Sequence, residues 1–148
     1  MKLESPVFED DEEIPKKYGY QRENVNPELH ISGVPEEAES LILIVDDPDA
    51  LGPAGKIWDH WVLFDINPET EVIDEDSAPG TEGENDYEET GYGGPNPPDG
   101  EHTYIFRLYA LDTELGLARD VPRKRVEEEM ENHVLEKTEL KGRYRPVE

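Results

Sequence analysis

The chain contains no cysteine. Disulfide staples, thiolate chemistry and cysteine-ligated zinc are therefore excluded. Cationic residues are scarce: 14 Lys and Arg stand against 38 Asp and Glu, a formal net charge of −24 over 148 residues. Nucleic acid and anionic membrane surfaces both repel such a chain, which removes them as expected partners. Long apolar runs are missing too. The longest, Leu41–Val45, falls far short of the roughly 20 residues needed to cross a bilayer, so no stable membrane insertion is expected. Met1–Pro6 lacks the apolar core of a signal peptide, and a cytoplasmic protein is the expectation.

What is present suits one domain over residues 1–148, long enough to bury a core without a staple. The apolar residues are gathered into compact runs, as a folded chain requires and a disordered one does not. The excess of acid opposes compaction in dilute buffer. At molar salt the Debye length falls to about 3 Å and most of that repulsion disappears. The composition therefore reads as adaptation to a salt-rich cytoplasm, and the charge describes the solvent more than the function.

Leu41–Val45 is an unbroken apolar run rich in β-branched residues, too short for an ordinary helix, and predicts a strand buried on both faces. Ile57–Ile66 and Thr103–Leu111 predict two more central strands, and Leu29–Ile31 a brief one between Pro27 and Gly33. Asp74–Thr90 holds eight acidic residues and no basic one, and predicts a long loop. Gly91–Gly100, with four Gly and three Pro, predicts irregular backbone. Asp120 is placed to cap a helix with Pro122 in its first turn, and Val126, Met130 and Val134 give that helix an apolar stripe. Arg119–Arg125 reads as its solvated start, and Tyr144 as the beginning of a last extended piece.

Ionisable groups are attached to these strands. Asp46, Asp47 and Asp49 follow the first, His60 lies in the second, and His102 stands at the mouth of the third. Trp58, Tyr92 and Tyr104 can wall a cleft. Two imidazoles, a carboxylate that raises their pKa, and glycine backbone that permits close approach suit a phosphate- or carboxylate-sized anion. Each feature also has a structural reading. Asp-Pro favours turns, a histidine between two tryptophans can be a satisfied core residue, and Gly91–Gly100 can be a rigid loop. Metal binding by His, His and Asp is a third use.

The ordered set Asp47-Pro48-Asp49-Ala50, Trp58-Asp59-His60-Trp61 and Gly91–Tyr104 resembles the phosphatidylethanolamine-binding protein family, and more closely its small prokaryotic, Raf-kinase-inhibitor-like branch. Asn24–Pro27, Ser32–Pro35, Met130–Leu135 and Lys141–Tyr144 extend the likeness over nearly the whole chain. The resemblance implies a mainly β fold: a β-sandwich with Greek-key topology and a few short peripheral helices, one near the C-terminus. It implies a ligand pocket for phosphate, acetate or a phosphoryl head group, formed by Asp47, His60 and His102, with Trp58, Gly94, Pro95 and Tyr104 at wall and backbone positions. No catalytic residue, metal or cofactor is implied, and a homodimer is among the assemblies of prokaryotic relatives.

Two positions depart from the family pattern. Leu51 follows Ala50 where a proline is usual, with Pro53 arriving later, so a different pocket rim is expected. Thr103 stands where the family often has arginine between the histidine and the tyrosine, which argues against transferring a partner surface. The expected function is therefore binding of a small anion or phosphoryl group. Hydrolysis by Asp47, His60 and His102 is the alternative, although these motifs contain no nucleophile. Regulation of a protein partner through Asp74–Thr90 is a third reading.

Overall fold

A computed structural model describes residues 1–147. In chain order the strands are β1 (Lys2–Glu4), β2 (Glu12–Glu13), β3 (Leu29–Ser32), β4 (Ser40–Asp47), β5 (Trp58–Ile66), β6 (Val72–Ile73), β7 (Thr81–Glu82), β8 (His102–Leu111) and β9 (Val134–Tyr144). Among the described residues two α-helices accompany them, α1 (Leu51–Ala54) and α2 (Arg123–Met130), with single 3-10 turns at Lys16–Tyr18 and Pro48–Ala50. The larger sheet has the order β2-β9-β8-β4-β5-β7, and the smaller β1-β3-β6. β8 returns to the free side of β4 after β5 has paired with the other side, which is the Greek-key return the resemblance implied.

β4 is buried along its whole length, as its unbroken apolar run requires. Leu41, Leu43 and Val45 face the core between the sheets, with Leu29, Ile31 and Ile73 of the smaller sheet opposite. Ile42 and Ile44 face the other way, against Val126 and Met130 of α2. The molecule is thus a sandwich with a helix on its outer face.

Four expectations need correction. α2 begins at Arg123 rather than being capped by Asp120. Asp120 instead adopts a left-handed conformation (φ 74°), and its carboxylate accepts from the Thr90 hydroxyl. The helix ends at Met130, and Val134 opens β9 instead of extending the stripe. The turn between them uses Asn132 at φ 68°. The last extended piece is an eleven-residue strand that ends, rather than begins, at Tyr144. Finally, Asp74–Thr90 is not a plain loop, since it contains β7 and a bridge between Glu84 and Thr90.

Candidate functional site

Antiparallel pairing assembles the site at one end of the larger sheet. β4 finishes where β5 and β8 begin: Asp47 pairs with Trp58, and Asp46 pairs with both Asp59 and Ile105. A β-bulge then decides which side chains meet. β5 advances two residues, Asp59 to Trp61, while β4 advances one, Asp46 to Val45. The extra residue is His60. Such an insertion reverses the facing of everything beyond it. Asp59 consequently points to Arg123 on α2, 2.8 Å away, while His60 turns toward Tyr104, with ring centroids 5.1 Å apart.

The result is a cavity of about 230 Å³. Asp47, Trp58, His60, His102 and Tyr104 line it, so five of the seven residues expected at the site converge. Gly94 and Pro95 stand behind the wall. The Gly94 N–H donates to Asn24 Oδ1 (2.7 Å), and its carbonyl accepts from the Tyr87 hydroxyl (2.8 Å). The Pro95 carbonyl accepts from the Tyr20 N–H at 2.9 Å. A Cβ at Gly94 would lie 2.1 Å from the Tyr18 carbonyl oxygen, so this close approach admits only glycine.

Tyr92, expected as a wall, lies half-buried against Trp61 instead, and its hydroxyl donates to the Tyr18 carbonyl. Tyr87 takes that place, edge-on to both Trp58 and His60 and stacked on Tyr20 at 3.9 Å between centroids. In the sequence it is a lone aromatic within the acidic stretch, which carries no signal of a site. Asn85 builds its turn by accepting from the Tyr87 and Glu89 N–H groups and donating to the Gly91 carbonyl. Asn96 and Pro98 complete the wall from the Gly/Pro segment. The altered rim beside Ala50 consists of Pro53 and Ala54 on α1, with Leu51 turned out to solvent.

The two imidazoles differ. His60 donates Nδ1–H to the Gly93 carbonyl at 2.7 Å. Burial pushes its pKa down to about 4, with the Gly93 and Gly94 carbonyls opposing, so the ring is neutral with Nε2 unprotonated. His102 is clamped by two carboxylates, Asp47 on Nδ1 and Asp99 on Nε2, each at 2.6 Å. Burial lowers its pKa, but these two partners outweigh burial and the net shift is upward. Asp47 is itself raised by burial, against the pull of His102 and the Asp49 N–H. The expectation that Asp47 charges both histidines is thus corrected: it acts on His102 alone. Two further polar atoms, Trp58 Nε1 and Tyr104 Oη, are buried without a hydrogen-bond partner among the described residues. Burial first, then the charge of Asp47, holds the Tyr104 hydroxyl far above its usual pKa. Among the described residues no three His, Asp or Glu side chains converge as a metal-ligand cluster.

Residues 4–145 match the family described as phosphatidylethanolamine-binding protein, and the chain belongs to that family. A UPF0098 protein of Methanothermobacter thermautotrophicus is 44% identical, covering 98% of this chain and 99% of its own. Among solved structures, a putative phosphatidylethanolamine-binding protein homolog, CT736 of Chlamydia trachomatis, superposes with a TM-score of 0.90 at 37% identity, covering 96% of this chain and 95% of its own. YbcL of E. coli, described as a new member of the mammalian family, gives 0.89 at 25% identity, covering 99% and 98%.

Proposed function

We propose that the chain is a binding protein for a small oxyanion or phosphoryl group, held in the cavity between His60 and His102. The observation that carries this reading is that Trp58 and Tyr104, two residues lining one cavity, each hold a buried polar atom, Nε1 and Oη, without a hydrogen-bond partner among the described residues. A buried donor left unpaired costs about 1–3 kcal/mol, and a ligand oxygen between these two groups removes that cost. His102 supplies the positive charge. Its Nε2–H is held by Asp99, whose side chain is 56% exposed and can exchange for a ligand oxygen. None of the lining residues is a serine or threonine, which favours binding over nucleophilic hydrolysis.

The test is a titration with inorganic phosphate at high salt, followed by NMR of the His102 ring and the Trp58 indole N–H. Both signals move on saturation. Signals that stay fixed up to tens of millimolar would overturn the proposal.

A further inference from the structure

β9 is a long strand whose outer edge is covered only near its end, where β2 pairs with Gly142 and Arg143. Lys141 marks which residues face that edge. Its N–H donates to Asp10 Oδ1 (2.9 Å), and its carbonyl accepts from the Asp11 N–H (2.8 Å). The register with β8 is unbroken from Tyr144 back to Glu136, so Glu139 and Lys137 turn their N–H and carbonyl groups the same way. Among the described residues those groups have no partner. Such an edge is a template for another strand.

A groove of about 400 Å³ runs beside it. The opposite wall is β1, the end strand of the smaller sheet. There Leu3 also turns its backbone away from its own sheet, because its cross-strand partner Ile31 donates to Glu71 on the other side. The groove thus lies between two unpaired edges. Its rim is acidic: Glu4, Glu9 and Asp10 stand along it against Lys2 alone. Lys2 pairs with Glu4 (3.4 Å), which leaves Glu9 and Asp10 without a cation among the described residues.

We infer that this edge docks an extended segment of another protein, added as a strand beside β9, with Lys or Arg at alternate positions. Main-chain hydrogen bonds to Lys137 and Glu139 hold it. Its side chains opposite Thr138 turn into the groove, where a lysine or arginine lays its stem along the groove and brings its charge to Glu9 and Asp10. A second copy of β9 does not fit. Antiparallel registers that oppose the hydrogen-bonding residues set Lys137 on Lys137 or Glu139 on Glu139. The register that sets Lys137 on Glu139 turns the copy's Glu136 inward beside Leu140, among the carboxylates.

The experiment is an amide NMR titration of the full chain at one fixed ionic strength. The probes are three blocked hexapeptides: alternating Lys and Thr, alternating Glu and Thr, and a run of Lys followed by a run of Thr. The alternating Lys peptide shifts the Lys137 and Glu139 amides and binds at least about fivefold more tightly than the other two. Equal binding of the block peptide reduces the effect to net charge and overturns the strand reading. Equal binding of the Glu peptide overturns the charge assignment, and shifts confined to other residues overturn the site. Proline is tolerated at an edge position whose N–H faces outward. Lys137→Pro therefore spares the β8 ladder and weakens the alternating Lys peptide about fivefold or more, whereas Lys137→Gln does not. Glu9→Lys, at an exposed position outside every strand, weakens it by about the same factor. Unchanged affinity in Glu9→Lys, or in a folded Lys137→Pro, overturns the proposal. The same amides shifting as the chain alone is concentrated would give the edge to a second copy and overturn it too.

Discussion

His60 and His102 share one cavity, and their pKa values move in opposite directions because of what surrounds each ring. His60 is completely buried, and burial outweighs its carbonyl partner, so its folded pKa of about 4 lies below the unfolded value of 6.5. Between those values the unfolded chain binds the extra proton. The stability contributed by neutral His60 is therefore present above pH 6.5 and lost as pH falls toward 4, a loss of about 3 kcal/mol. His102 has the opposite sign. Its raised pKa contributes stability below the unfolded value that disappears as pH rises through the folded one. An NMR pH titration of the imidazole carbons distinguishes the two: His60 stays neutral down to about pH 5, while His102 titrates above the ordinary histidine value. A His60 midpoint near the ordinary histidine value would show that burial does not hold the ring neutral.

Asp99 carries a second expectation at this scale. It occupies the Nε2 position of His102, so Asp99→Ala raises phosphate affinity by up to about fivefold, the range of a partly exposed ion pair. Unchanged or weaker binding in a calorimetric titration would mean that Asp99 assists the ligand or ignores it.

At the scale of elements, α2 is fastened by charge as well as by its apolar stripe. Arg123 reaches Asp46 and Asp59, and Arg107 from β8 pairs with the same Asp46, which is 1% exposed. The basic cluster that read as a solvated helix start is therefore partly interior. In Arg123→Met the helix keeps its apolar contacts, but buried Asp46 retains only Arg107. Loss of one partner of a buried pair costs about 3–5 kcal/mol, and the surviving arginine reduces this to about 2. Urea unfolding at constant salt measures it, and a change below about 0.5 kcal/mol would show that the network does not hold the helix.

The same elements show what a sequence makes legible. β4 was plain because both its faces are buried, so every residue is apolar or at its end. β9 was not, because its first half, Val134–Glu139, lies largely exposed and only Leu140, Gly142 and Tyr144 are buried. Val134 stands at helical spacing from Met130 but is 41% exposed in that strand, so its spacing carried no packing information. The site was legible at Asp47, His60 and His102 through ordered motifs. Its second wall was not, since Tyr87 reaches the cavity only through the turn that Asn85 organises.

For the whole molecule the governing quantity is the −24 charge, which the interior does not share. Among the described residues the fully buried carboxylates are Asp46, paired with Arg107 and Arg123, and Asp47, bonded to His102. The excess acid is therefore carried by the surface, where screening acts fully, while the buried pairs feel salt little. Melting temperature should rise with KCl from dilute buffer and flatten near about 1 M, once the Debye length of about 3 Å is shorter than the spacing between surface carboxylates. Salting-out by exclusion has no such plateau and is produced by uncharged sucrose as well, so a parallel sucrose series separates the two effects. The same field repels an anionic ligand, so phosphate binding should strengthen over the salt range in which the fold does. A melting temperature flat across KCl, or matched by sucrose, would defeat the salt-adaptation reading and leave the surface charge without a physical role.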